Sequence, residues 1–131
     1  MSEAGRRGIA RTAPASGDAR LRGLTCAVPF EDVWQSARRL ADGGIRGWSL
    51  EHADDQEGII RAGTRSLRGA EHDVEVRISL DANAQTRVDA VATARKPGTD
   101  FGAARRRVIT FFTALDKRLA ALPPRRPTPA P

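Results

Sequence analysis

The 131-residue sequence predicts an α+β domain built on one antiparallel sheet. Three observations carry that expectation. Apolar and polar residues alternate with period two over 71–80 and again over 86–95. Apolar residues recur at three- and four-residue intervals over 30–41 and 101–122. With 40% hydrophobic and 29% charged residues, the composition is that of an ordinary globular chain.

Residues 20–28 open the domain as a strand, with Leu24, Cys26 and Val28 on one side. Pro29 sits where a helix begins, and Glu31 and Asp32 follow in the first turn, where carboxylates complement the helix dipole. Phe30, Val33, Trp34, Ala37, Leu40 and Ala41 form its apolar stripe, and Gly43-Gly44 ends it. Four strands come next. Trp48 and Leu50 belong to the first, the acidic turn 54–58 joins it to the second over 59–66, and a hairpin results. The third places Val74, Val76, Ile78 and Leu80 on one face, with Asp73, Glu75, Arg77 and Ser79 on the other. The fourth sets the small row Val88, Ala90, Ala92 and Ala94 against Arg87, Asp89, Val91, Thr93 and Arg95, and small residues there predict a helix packed close above them. The last element is a long helix through Phe101, Ala104, Val108, Phe111, Leu115, Leu119 and Leu122, capped by Thr99 or Asp100 and stopped by Pro123-Pro124. The order is therefore β-α-β-β-β-β-α, with both helices on one face of the sheet so that all elements share one core. Trp34, Phe111 and Phe112 read as core residues, because aromatic side chains on periodic faces fill interiors.

The domain is expected to span residues 20–122. Residues 1–19, rich in Arg, Gly and Ala with almost no large apolar side chain, read as an unstructured tail. Residues 123–131 are proline-rich and read as an extended second tail.

The formal charge is +6. Only Lys96 and Lys117 are lysines, so the remainder of the 22 basic residues is arginine. The positive excess lies in residues 1–28 and 96–131, while the strand-rich middle is net acidic, and so the overall charge describes the ends rather than the domain. Cys26 stands alone, which excludes an intramolecular disulfide and a cysteine-only zinc site; it reads as a buried, inert thiol. No apolar run approaches the ~18 to 20 residues of a membrane span, and Arg6-Arg7 is followed by no apolar export core, so a soluble, cytoplasmic protein is the expectation. His52 and His72 match no compact metal-ligand spacing and read as a surface-exposed pair; neither metal nor cofactor is expected.

The richest polar group is Arg77, Asp89, Arg95, Asp100 and Arg107, expected to converge with Gly102 at the corner between the last strand and the last helix. Such a set serves either as a structural ion-pair and capping network or as an anion site in which guanidinium groups grip a phosphate or carboxylate. A second basic feature is the outer face of the last helix, Arg105, Arg106, Lys117 and Arg118, which lacks the interleaved aromatic residues of a base-stacking surface.

The stretch 64–78, then Arg87-Val88-Asp89, then 94–102 and Arg107-Val108 resembles the bacterial and plastid domain-of-unknown-function family 1499, over roughly residues 29–119. The family's corner motif reads Ser-Arg-x-Gly-x-Ser-Asp-Leu-Gly-x-Asn-x-x-Arg-Ile. Arg95, Asp100, Gly102 and Arg107 match it, with Thr99, Phe101 and Val108 as near equivalents. Ala94, Pro97 and Ala104 depart from it, so no polar role is carried over to those positions. The resemblance implies a divergent member and supplies no reaction.

Zero tyrosines and two histidines leave few side chains for acid–base chemistry, and the expectation leans away from an enzyme. A binding or scaffolding module is expected to use the open sheet face or the arginine-rich last helix to contact a protein or a small amphipathic ligand. The alternatives are a small-molecule anion site or enzyme at the Arg/Asp corner, and nucleic-acid or anionic-membrane association through the basic ends, with nucleic acid not favoured.

Overall fold

Strand β6 (Thr86–Ala94) is the hinge of the architecture, because three other strands pair with it. The computed structural model describes residues 8–96 and 102–123. Strands β3 (Trp48–Asp54), β4 (Ile59–Arg65), β5 (Glu71–Leu80) and β6 form an antiparallel meander. On the far edge of β6 lie β1 (Ile9–Arg11), opposite 91–93, and β2 (Leu24–Cys26), opposite 86–88. Helix α1 (Phe30–Arg39) carries the chain from β2 at one edge to β3 at the other, and helix α2 (Ala103–Ala120) closes the fold. The result is the expected α+β domain, with both helices on the sheet face that presents Ile60, Val74, Val76, Val88 and Ala92.

Each element forms for local reasons. Asp54 Oδ1 accepts from the amides of Gln56 and Glu57 and shapes the β3–β4 turn. Gly58 closes that turn at φ +70°, and a Cβ there would stand 2.1 Å from the Ile78 carbonyl oxygen. Asp81 Oδ1 accepts from the amides of Asn83 and Gln85 between β5 and β6. Helix α1 starts after Pro29 and runs into a wide turn, Leu40–Gly44, where Gly43 adopts φ +87°. Beneath the helices, Trp48 stacks on Phe111 with ring centroids 5.7 Å apart, and Phe112 meets Phe111 edge-on at 5.4 Å. Trp34, Phe111 and Phe112 are all core residues, as their spacing predicts.

Several expectations are corrected. Residues 8–19 are part of the fold and not a tail: Ile9–Arg11 is a strand and Ala10 is buried. The reason is backbone demand. β2 covers only the first part of β6, and the remaining edge amides and carbonyls need partners that small residues supply as well as large ones. The first strand of the predicted domain shortens to Leu24–Cys26, preceded by a 3-10 turn at Ala19–Leu21. Cys26 is half-buried against the core, not fully enclosed. His72 is buried, 1% exposed, because it shares the inward parity of Val74; only His52 is exposed. Leu80 has the same parity yet is 60% exposed, at the very end of its strand. Helix α2 begins after Gly102, in the left-handed region at φ +80°, while the predicted caps Thr99 and Asp100, and Phe101, lie outside the described residues. The proline-rich segment beyond Pro123 lies outside them as well. No described helix is long and apolar enough to cross a membrane.

Candidate anion-binding site

The open face of the sheet carries arginines that are already engaged. Glu75 on β5 accepts from Arg61 Nε at 3.1 Å and from Arg77 Nε at 3.0 Å. Burial alone would raise the Glu75 carboxyl, but these two hydrogen bonds and their charges lower it. Arg95, just after β6, donates through all three nitrogens, to Asp73 Oδ1 at 2.9 Å, Glu71 Oε2 at 3.0 Å and Glu51 Oε2 at 3.0 Å. Asp73 foremost, then Glu51, push its pKa further upward. Arg87 grips Asp89 with two nitrogens and reaches Thr25 Oγ1 on β2 and the Arg22 carbonyl. Asp89 also accepts from Thr12 Oγ1, which in turn accepts from the Ala90 amide, tying the segment after β1 to β6. These are structural clasps, with their charges neutralised in place.

The predicted polar corner is thus distributed over separate places. Arg77 and Asp89 face each other across the β5–β6 register, in mid-sheet. Arg95 belongs to the acidic group at the strand end. Gly102 starts α2, Arg107 lies one turn on, and Asp100 is outside the described residues. The basic stripe expected on the last helix also divides. Arg105 turns to Asp18, whose carboxyl it and the Arg20 amide hold down at about 2, and so pins the loop after β1 to α2. Arg118 is half-buried, Lys117 is exposed, and Arg106 points a different way again.

Arg106 and Arg107 line a groove of about 910 Å³ together with Arg46, Arg65 and Arg68. Three segments build it. The stretch after α1 brings Arg46 and Gly47; the Arg65 amide donates to the Gly47 carbonyl at 2.8 Å and sets the end of β4 beside it. The β4–β5 turn contributes Ser66, Leu67, Arg68 and Ala70, shaped by the Ser66 hydroxyl accepting from the Ala70 amide. The first turn of α2 supplies Ala103, Arg106 and Arg107. No acidic residue lines the groove among the described residues.

Its arginines are unlike those of the open face. Arg46, Arg65, Arg68 and Arg107 pair with no carboxylate among the described residues. Arg107 Nε is buried and has no hydrogen-bond partner. Burial first, and the neighbouring Arg106 charge second, push the Arg107 pKa down. Like charges gathered beside a cavity, with donors unspent, constitute an environment that an anion relieves.

Sequence reasoning found Arg107 and Arg106 but missed Arg46, Arg65 and Arg68. The available signal was Leu67, a large apolar residue set in a turn between Arg65 and Arg68, where polar residues are the rule. Among the described residues, no group of three or more His, Cys, Asp or Glu side chains is arranged to hold a metal ion.

No family model, curated protein or solved structure matches the chain.

Proposed function

We propose that this chain is a non-enzymatic binding module whose ligand presents an anionic group, phosphate or carboxylate, to the arginine-lined groove. One observation carries the reading. The open-face arginines Arg61, Arg77, Arg87 and Arg95 are each paired with carboxylates, whereas four groove arginines are held together with none among the described residues. Holding like charges together without partners costs stability, and a ligand that supplies the missing charge recovers it. Arg guanidinium groups present planar, forked donors that match phosphate and carboxylate oxygens two at a time. The expectation that the open sheet face is the contact surface finds less support, since its charges are mutually satisfied. The reading as a divergent member of the domain-of-unknown-function family 1499 is supported by Gly102 at the start of α2 and by Arg107 behind it, and assigns no reaction.

Isothermal titration with inorganic pyrophosphate tests the proposal. Wild-type protein binds; an Arg65→Gln/Arg68→Gln variant binds at least tenfold more weakly, and Arg77→Gln on the open face binds as wild type. Equal loss in the open-face variant, or no binding by wild type to pyrophosphate or to citrate as a carboxylate probe, overturns it.

A further inference from the structure

Leu67 is 90% exposed, the most exposed large apolar side chain among the described residues, and it stands at the tip of the β4–β5 turn. Arg65 and Arg68 flank it in the chain, and Arg46, Arg106 and Arg107 share its groove. The turn is free of packing obligations: a Cβ on Gly69 would meet nothing within 4 Å, and Arg68, Gly69 and Ala70 are all exposed.

We infer that this end of the molecule docks on an anionic phospholipid surface, with Leu67 entering the acyl boundary and lipid headgroup phosphates lodging in the arginine groove. The inference rests on the groove being an anion site and names the source of the anion. An exposed apolar side chain beside Arg46, Arg65, Arg68 and Arg107, which pair with no carboxylate among the described residues, combines the two attractions a peripheral protein uses, burial of hydrocarbon and charge attraction to acidic headgroups. Arginine also suits the interface because its stem lies along apolar material while its head stays among phosphates. Nucleic acid shares the phosphate chemistry but fits the tip less well: among the described residues the groove lining contains no aromatic side chain for base stacking, and water-facing phosphates give Leu67 nothing to bury against. On the sheet face turned away from the helices, Arg61, Arg77 and Arg95 are paired with carboxylates, which leaves the groove arginines as the stronger attraction for an anionic surface.

Co-sedimentation of the full chain with vesicles tests this, using pure phosphatidylcholine and phosphatidylcholine with about one-third phosphatidylserine, a fraction that gives a strongly negative surface potential. Wild type partitions onto the mixed vesicles, is released by added salt, and ignores pure phosphatidylcholine. Leu67→Ser leaves every charge in place, those of both chain ends included, and lowers the partition constant about tenfold, the scale expected for losing one buried leucine. Leu67→Trp retains binding and gains a blue-shifted emission component on mixed vesicles. Binding of Leu67→Ser equal to wild type, or an unshifted Leu67→Trp, overturns the docking geometry. If wild type binds soluble pyrophosphate but no vesicle, the lipid inference fails and the anion site stands; if it binds neither, both fail. Tighter binding to a single-stranded DNA oligonucleotide than to mixed vesicles, unaffected by Leu67→Ser, assigns the groove to nucleic acid and overturns the inference.

Discussion

Replacing Arg107 by methionine is expected to make the protein more stable and less able to bind. The Arg107 side chain is half-buried, its Nε is enclosed without a partner, and its charge faces that of Arg106. An enclosed polar group with no partner costs about 1–3 kcal/mol. Because part of the guanidinium remains in water, the cost is discounted to about 0.5–1.5 kcal/mol. Methionine preserves the length of the stem, fills irregular space readily and removes both the orphaned donor and the repulsion. For a domain of this size each kcal/mol moves Tm by about 4 °C, so calorimetry of Arg107→Met is expected to show a rise of about 2–6 °C without ligand. The loss of a charge-assisted donor, about 1.5–3 kcal/mol, weakens pyrophosphate binding roughly 10- to 100-fold in titration calorimetry. Pyrophosphate at a concentration that saturates the wild type therefore raises the wild-type Tm by more than that of the variant. A fall in Tm of several degrees in Arg107→Met would show that Arg107 supports the fold, and unchanged affinity would remove it from the site; either result refutes the reasoning.

Other consequences are as direct. Gly58→Ala forces a left-handed backbone on an L-residue and sets a methyl 2.1 Å from the Ile78 carbonyl oxygen, against which the backbone must yield; a loss of about 2–4 kcal/mol in urea melts is expected. Phe111→Ala removes the ring that both Trp48 and Phe112 pack against and is expected to cost about 3–5 kcal/mol by the same measurement. The Asp18 carboxyl is depressed from 3.8 to about 2 in the folded protein. Its contribution is thus fully present above pH 3.8 and is lost as the pH falls through about 2, so the stability difference between wild type and Asp18→Asn narrows across that window in acid melts. Deleting residues 1–12 strips β6 of β1, and hydrogen exchange at the Ala94 amide, which donates to the Gly8 carbonyl, is expected to accelerate by at least tenfold.

The meander and both helices were legible in the chain because their side chains sort by period: Val74, Val76 and Ile78 point inward, Glu75 and Arg77 outward, and Val108, Phe111 and Leu115 line one side of α2. Where reasoning from side-chain character went astray, backbone or position governed. Ile9–Arg11 carries little apolar mass, yet the unpaired edge of β6 recruits it through main-chain hydrogen bonds. The absence of a metal-ligand spacing makes His52 and His72 read as a surface pair, but parity with Val74 turns His72 inward. Strand parity does place Arg77, Asp89 and Arg95 on one face, but position along the strands parts the Arg77–Asp89 pair from Arg95, and helix phase turns Arg107 into the groove. The groove itself joins residues 46–47, 65–70 and 103–107, and no local pattern links segments so far apart; only the misplaced apolarity of Leu67 marked the spot.

The end-to-end seating of β1 and β2 on one strand also dictates an order of events during synthesis. Thr12 closes on Asp89, 77 positions later, so this earlier-made segment has no seat until almost the whole sheet has left the ribosome. Loop closure over that span is costly before any contact rewards it, and the meander of β3 to β6, whose pairings are local, is placed to assemble first. The amino-terminal strand then acts as the closing piece, and an unattached β6 edge is the form of this protein most exposed to pairing with a neighbouring chain.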